Sequence, residues 1–324
     1  MRLSVLIPIF NELELLPELF DRLDSVLEKL EFEYEIICVD DGSNDNSLKF
    51  LLEQANRDPR IKVVSFSRNF GKEAALTAAM DYASGDAVIP LDADLQHPPE
   101  LISRLVEEWQ QGHDVVHARR ASRAGENAVK RLSAVCFYKI FNLLSETKLP
   151  QGAGDFCLLS RRAADVVRQL PERDRFMKGL FAWPGFNSTM VEYESVKRTA
   201  GSSRFSFWTL WNFAISGVTS FSSIPIRVGT YIGLLISFVS ILYGLYIVLR
   251  TVIHGIDVPG YASLMAVILF LGGVQLFFLG ILGEYLGRIF KEVKGRPCYV
   301  VAQATGFDED IENSDDPLGA QAKE

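Results

Sequence analysis

Asp92-Ala93-Asp94 closes the apolar run Ala87-Val88-Ile89-Pro90-Leu91. Two carboxylates across one small residue, at the carboxyl end of a buried strand, offer hard oxygen donors to a divalent cation. On an extended chain Gln96 faces the same way two residues later. Asp92, Asp94 and Gln96 are therefore an expected ligand set for Mg²⁺ or Mn²⁺, with phosphate oxygens completing the shell. Such a cation neutralises a departing diphosphate. A bare Asp-x-Asp also occurs in solvated turns, and it is the preceding strand that gives this one weight. His97, alone before Pro98-Pro99, reads as a loop residue rather than a further ligand.

A second acidic group, Asp40-Asp41-Gly42-Ser43, follows the run Glu35 to Val39. Asp-Gly-Ser is ordinary turn chemistry. With Asn11-Glu12 on the same rim, these carboxylates can also accept hydrogen bonds from a base edge or ribose hydroxyls. The chain has no G-x-G-x-x-G and no P-loop, which argues against a dehydrogenase or an NTPase.

The elements that must position these groups alternate. Strands are expected at Leu3 to Ile9, Glu35 to Val39, Ile61 to Phe66, Asp86 to Leu91 and Asp114 to His117. Between them, Leu16, Leu19, Phe20, Leu23, Val26, Leu27 and Leu30 recur at helical spacing, with Asn11 as an expected N-cap and Glu14 in a capping-box arrangement. Further helices are expected from about Asn46, from Gly71 to Ser84 with Gly85 as C-cap, and from Pro99 to Gln110. Arg119 to Leu149 is basic and helical in character, and Gly152 to Leu159 reads as a turn and short strand. Strands alternating with helices imply a mostly parallel α/β sheet covered on both faces. Ligands of such sheets bind at the carboxyl ends of the strands, where Phe10-Asn11-Glu12, Asp40-Asp41 and Asp92-Ala93-Asp94 all fall.

The chain has 324 residues, 48% of them hydrophobic, and a formal net charge of -8. That charge argues against nucleic acid as a partner. Mean hydropathy is +0.13, with the apolar excess after Ile224. Cys38, Cys136, Cys157 and Cys298 show no C-x-x-C spacing and read as reduced cytosolic thiols. The first ten residues do not resemble a secretory signal.

Phe205 to Ser222 reads as an amphipathic helix for the bilayer interface. Phe207, Trp208, Trp211, Ile215, Val218 and Phe221 share its apolar face. Val228 to Leu249 and Val258 to Gly283 carry no charge and are long enough to cross a bilayer. The short connector between them makes a hairpin. Arg198, Arg204 and Arg227 before it, and Arg288, Lys291, Lys294 and Arg296 after it, put both ends on the cytoplasmic side. Glu284 is expected to pair with Arg288 at i,i+4. The expected division is 1–204, a cytoplasmic catalytic domain; 205–224, the interfacial helix; 225–290, the hairpin; and 291–324, a cytoplasmic tail that is acidic and disordered from Asp308 onward.

The set Pro8-Ile9-Phe10-Asn11-Glu12, Val39-Asp40-Asp41-Gly42-Ser43, Arg68-Asn69-Phe70-Gly71-Lys72, Asp92-Ala93-Asp94-Leu95-Gln96 and Gly154-Asp155-Phe156 resembles glycosyltransferase family 2. More narrowly it resembles the bacterial polyprenyl-phosphate glycosyltransferases, including bactoprenol glucosyltransferases, with dolichyl-phosphate mannose synthase a more distant relative. The resemblance runs from Leu3 to about Val301. It implies a GT-A fold, a nucleotide-sugar donor, Mg²⁺ or Mn²⁺, and inversion at the anomeric carbon. By similarity, Pro8, Phe10, Glu12, Val39 and Asp41 hold the nucleoside. Asp92, Ala93, Asp94 and Gln96 hold the diphosphate and metal, and Asp155 is the family's candidate base. Phe10 stands where relatives commonly have Tyr, Cys157 where many have Arg, and His97 where some have Asp. Arg198, Gly201, Ser203 and Arg204 match a family pattern before the interface helix. Arg198, Ser203 and Arg204, with Arg120 and Arg123, are therefore expected to bind a lipid phosphate.

The resulting expectation is transfer of a hexose, glucose from UDP-glucose, to undecaprenyl phosphate at the bacterial inner membrane. A separate flippase and a homo-oligomer are expected partners. UDP-N-acetylglucosamine, UDP-4-formamido-arabinose and GDP-mannose remain alternative donors. A silent nucleotide-sugar-binding scaffold is the alternative from another class. A processive polysaccharide synthase is disfavoured, because no Q-x-x-R-W and no further spans are present.

Overall fold

A computed structural model describes residues 1–120, 142, 153–173, 175–193, 222, 224–254 and 260–307. Its strands are β1 (Arg2–Ile9), β2 (Glu33–Asp40), β3 (Ile61–Phe66), β4 (Ala87–Pro90), β5 (Val115–Arg120), β6 (Ala153–Ser160), β7 (Ser188–Tyr193) and β8 (Val301–Thr305). They form one sheet in the order β7-β5-β6-β4-β1-β2-β3-β8. The central strands β3, β2, β1 and β4 are parallel, while β6 and β8 run antiparallel to their neighbours.

Helices α1 (Leu16–Leu27), α2 (Ser47–Arg57) and α4 (Ile102–Gln110) cover one face; α3 (Lys72–Tyr82), α5 (Arg161–Gln169) and α6 (Met177–Ala182) cover the other. The period of a strand explains the division. Leu3, Val5, Ile7 and Ile9 pack under α1, and Leu6 packs under α3. Helix α1 buries Leu16, Leu19, Phe20, Leu23, Val26 and Leu27, the expected stripe. Each such side chain contributes on the order of 1.5–3 kcal/mol.

Two expected caps are not used. Asn11 does not cap α1: it sits at φ 55°, and its Oδ1 accepts the Asn44 N–H at 2.8 Å. The Glu12 carbonyl accepts the Leu15 and Leu16 amides instead. Gly85 does not cap α3, which ends at Tyr82 with Ala83 extended. Gly85 is needed for close approach, since a Cβ there would lie 2.6 Å from Ser4 Oγ. Gly71, expected inside the helix, precedes it at φ 100°.

Helices α7 (Ile224–His254) and α8 (Tyr261–Lys294) are longer than the uncharged runs inside them. Their apolar segments, Ile226–Ile247 and Ser263–Lys294, have mean hydropathies of 1.9 and 2.4, and among the described residues nothing buries them. Long, exposed, predominantly apolar helices are suited to lipid. They approach closely at Gly229, where a Cβ would stand 2.8 Å from the Phe278 ring. Arg288 pairs with Glu284 at 3.5 Å, as the spacing predicts.

After α8 the chain returns to the sheet, which the hydropathy pattern does not announce. Gly295, at φ 67°, ends the helix. Tyr299 stacks on Phe66 with ring centres 5.1 Å apart and donates to Asp81 at 2.8 Å. Strand β8 then pairs with β3. Glu292 accepts the Arg173 amide at 2.9 Å, so the foot of α8 is also fastened to the segment between α5 and α6.

Candidate active site

The carboxyl ends of β1, β2 and β4 bring Asn11-Glu12, Asp40-Asp41 and Asp92-Ala93-Asp94 to one rim. The antiparallel β6 completes it. Its register against β4 pairs Ala87 with Ser160 and Val88 with Leu159. Carried forward, the same register sets Asp155 opposite Asp92, although the two lie far apart in sequence.

Lys72, the first residue of α3, joins them. Its Nζ lies 2.7 Å from Asp92 Oδ1 and donates to Asp155 Oδ2 at 3.0 Å. Burial alone would lower the Lys72 pKa, but the charges of Asp92 and then Asp155 outweigh it and hold the ammonium well above its usual value. Lys178 on α6 stands 3.7 Å from Asp155 Oδ1. Burial would raise Asp155, yet Lys178 and then Lys72 keep it below the ordinary carboxylate range. It is therefore ionised and already paired, which makes it a weak base. Glu73 behaves in the opposite way. Burial and the nearby Asp155 charge push it up to about 7, against Lys72 and the Met177 amide. Lys72 carried no expected role although it lies in the R-N-F-G-K segment. Glu73 and Lys178 had no legible signal, because only the tertiary fold brings α3 and α6 beside β6.

Gln96 reaches Asp94 by a different route from the expected one. The chain does not stay extended: Leu95 has φ 56°. The turn lets the Gln96 amide N–H donate to Asp94 Oδ1 at 3.1 Å, and its side-chain amide donates to Oδ2. His97 is a ring packed on Phe156 at 5.1 Å, with Nδ1 2.7 Å from the Tyr193 hydroxyl. The donor set suits a hard cation. Asp92 and Asp94 carry carboxylate oxygens at this rim, those of Asp92 engaged by the Lys72 ammonium and those of Asp94 by Gln96. Among the described residues no three His, Cys, Asp or Glu side chains converge as a complete metal cage.

Asp41 is only 3% exposed. Its carboxylate accepts the Phe70 amide at 2.6 Å and the Gly71 amide at 2.9 Å. It thus fixes the loop that launches α3 and Lys72. Gly42 beside it has φ 67°, and a Cβ there would stand 2.6 Å from the Arg68 carbonyl carbon. Asp40 is buried under Ser65 and Ser43. Pro8 and Val39 are register partners on β1 and β2, and Val39 is fully buried. Phe10 and Glu12 sit partly exposed at the rim, and Ala93 is the buried residue between the two aspartates. Cys157 is buried in the sheet. Arg120 is the last residue of β5, paired in register with Tyr193. Arg123, Arg198, Ser203 and Arg204 lie outside the described residues, as do the interfacial helix expected at 205–224, apart from Ser222 and Ile224, and the tail beyond residue 307.

An α/β sheet with a parallel centre and acidic groups at its strand ends, followed by two apolar helices, defines a GT-A glycosyltransferase associated with a membrane. The chain belongs to glycosyl transferase family 2, whose model matches residues 4–168, and residues 224–289 match the GtrB C-terminal hairpin. An uncharacterised glycosyltransferase of Synechocystis is 52% identical, covering 94% of this chain and 96% of its own length. The bactoprenol glucosyl transferase of Shigella phage SfII is 46% identical, covering 94% of this chain and 98% of its own. A prophage bactoprenol glucosyl transferase homolog of Escherichia coli K12 is 44% identical over 93% of this chain and 98% of its own.

Proposed function

We propose that this glycosyltransferase moves a hexose, glucose from UDP-glucose, onto undecaprenyl phosphate with inversion, at the cytoplasmic face of a bacterial inner membrane. The observation that carries the reading is one rim that holds Asp92, Asp94 and Asp155 on a domain fastened to an apolar hairpin, in a chain 46% identical to a bactoprenol glucosyl transferase. A nucleotide-sugar is soluble and a polyprenyl phosphate is not, so the enzyme must hold a polar rim at a lipid surface.

Asp92, Asp94 and Gln96 would hold Mg²⁺ or Mn²⁺, which supplies charge neutralisation for the departing UDP. Glu12, Phe10 and Pro8 line the nucleoside side. Asp41 acts there by holding the 68–71 loop rather than by presenting a free carboxylate. The acceptor oxygen attacks the anomeric carbon as the bond to the UDP β-phosphate oxygen breaks. A phosphate monoester has its second pKa near about 6, so that oxygen is already anionic and needs little proton abstraction. The lowered pKa of Asp155 fits a positioning role better than a general base. Placement of the two reactants and charge stabilisation then supply most of the rate. Arg198, Ser203 and Arg204, with Arg120 and Arg123, are the proposed ligands of the lipid phosphate. A separate flippase would carry the product across, because a two-helix hairpin is too small to form a sugar path, and a homo-oligomer is the proposed assembly.

Purified protein in detergent, given undecaprenyl phosphate, Mn²⁺ or Mg²⁺ and labelled nucleotide-sugars, should pass label into the lipid phase from UDP-glucose. The variant Asp94→Asn should lose metal-dependent UDP binding and turnover while keeping its fold. Transfer from a different donor alone would replace glucose in this reading. Full activity of Asp94→Asn would remove the metal assignment.

A further inference from the structure

Lys72 does more than border the metal locus. Its ammonium lies within 2.9 Å of both Asp92 oxygens and 3.0 Å from Asp155. A divalent ion on Asp92 cannot share that carboxylate with an ammonium so close, because the like charges repel in a short, partly shielded gap. Something must move, and Lys72 is able to. Its side chain is 39% exposed, and it is the first residue of a helix, so its long stem is hinged at the rim rather than packed in the core. Its backbone, by contrast, is held. Asp41 fixes the Gly71 amide immediately before it, and Gly71 makes the sharp turn into the helix.

Resting on the metal and donor assignment above, we infer that Lys72 is a placeholder cation that makes metal binding conditional on the nucleoside diphosphate. Without donor, the ammonium neutralises Asp92 and Asp155 and competes with the metal. A diphosphate brings several negative charges to the same rim. It gives Lys72 a second partner of higher charge, and it gives the metal oxygens that the protein does not supply. The ammonium then shifts to the phosphate and the metal takes Asp92. Metal and nucleotide load together, and the bare protein is protected from filling its site with a cation that has no substrate to act on. Lys72 is a positioning residue whose effect passes through Asp92.

The test uses full-length protein in detergent and reads bound Mn²⁺ directly, by the loss of the free-ion electron paramagnetic resonance signal, with and without UDP. Wild type should bind Mn²⁺ weakly alone and tightly with UDP. Lys72→Met should bind Mn²⁺ without UDP about tenfold more tightly, the size expected from removing one unit charge at this distance in a water-like dielectric. Its gain on adding UDP should shrink. Lys72→Arg keeps the charge and should behave as wild type. Thermal unfolding confirms that each variant is folded, and Lys72→Gln replaces Lys72→Met if the latter is not. Nucleotide-free affinity that is unchanged or weaker in the neutral variants, or an arginine variant that matches the methionine one, would overturn the inference. Wild type that fails to bind Mn²⁺ even with UDP would refute the metal assignment itself, and the placeholder with it.

Discussion

Asp41→Asn is the sharpest single test of how the rim is built. The carboxylate takes one backbone amide on each oxygen, from Phe70 at 2.6 Å and from Gly71 at 2.9 Å. Hydrogen bonds to a charged group contribute about 1.5–3 kcal/mol each. Asparagine keeps the shape but offers one acceptor oxygen, and turns an NH₂ towards the other amide. One bond is lost and the other becomes neutral, a cost of roughly 3–4 kcal/mol. Part of this is recovered. Burial outweighs the two amides and holds the Asp41 carboxyl above its ordinary range, so a neutral side chain recovers a large part of that cost. The net local loss is ~1–2 kcal/mol, or about a 5- to 30-fold faster opening of the loop at 1.4 kcal/mol per decade. Hydrogen exchange followed by mass spectrometry on the peptide spanning Arg68 to Lys72 reads it directly. UDP binding should weaken in step, since this loop launches the helix that carries Lys72. Exchange within about threefold of wild type would mean that the carboxylate does not hold the loop, and the reasoning would fail.

Two further predictions concern stability. Glu35 is buried at the opposite end of the strands, where it accepts from Lys62 at 2.8 Å, from the Ser84 amide at 2.7 Å and from Ser4. Burial would raise its pKa, but Lys62, Ser4 and Ser84 outweigh that and lower it. Its stabilisation is therefore complete above the unfolded value of 4.5 and is lost as pH falls through the lower folded value. Glu35→Gln should cost about 2–4 kcal/mol at neutral pH and lower the thermal midpoint in detergent, with activity per folded molecule unchanged; a midpoint equal to wild type would contradict it. Glu73, raised from 4.5 to about 7, has the opposite sign. The folded state holds its proton across that window while the unfolded chain releases it, so stability falls as pH rises from 4.5 to about 7. Glu73→Gln should flatten this slope and stabilise the protein by about 1–3 kcal/mol above pH 7, and parallel pH–stability curves for the two proteins would refute the assignment.

The sequence by itself determined the alternation of strands and helices, the acidic groups at three strand ends and the apolar hairpin. These are local properties. A period of two or 3.6 and an uncharged run long enough for a bilayer are set by neighbouring residues, whatever the fold does. The stripe on α1 followed that rule residue by residue. Caps failed where a longer-range bond competed better. Asn11 spends its side chain on Asn44 across the rim rather than on its own helix, and Gly85 is small for the sake of Ser4, not for the end of α3. The turn at Leu95 replaced the extended chain expected at Gln96 for a similar reason, since it lets Gln96 fold back on Asp94. Only the tertiary structure decided the rest. An antiparallel strand from far along the chain sets Asp155 against Asp92, Lys72 closes the pair, and β8 brings the end of the hairpin back onto β3. Such contacts depend on strand order and on the direction in which each strand enters the sheet. Neither is written in any stretch of residues short enough to carry a period.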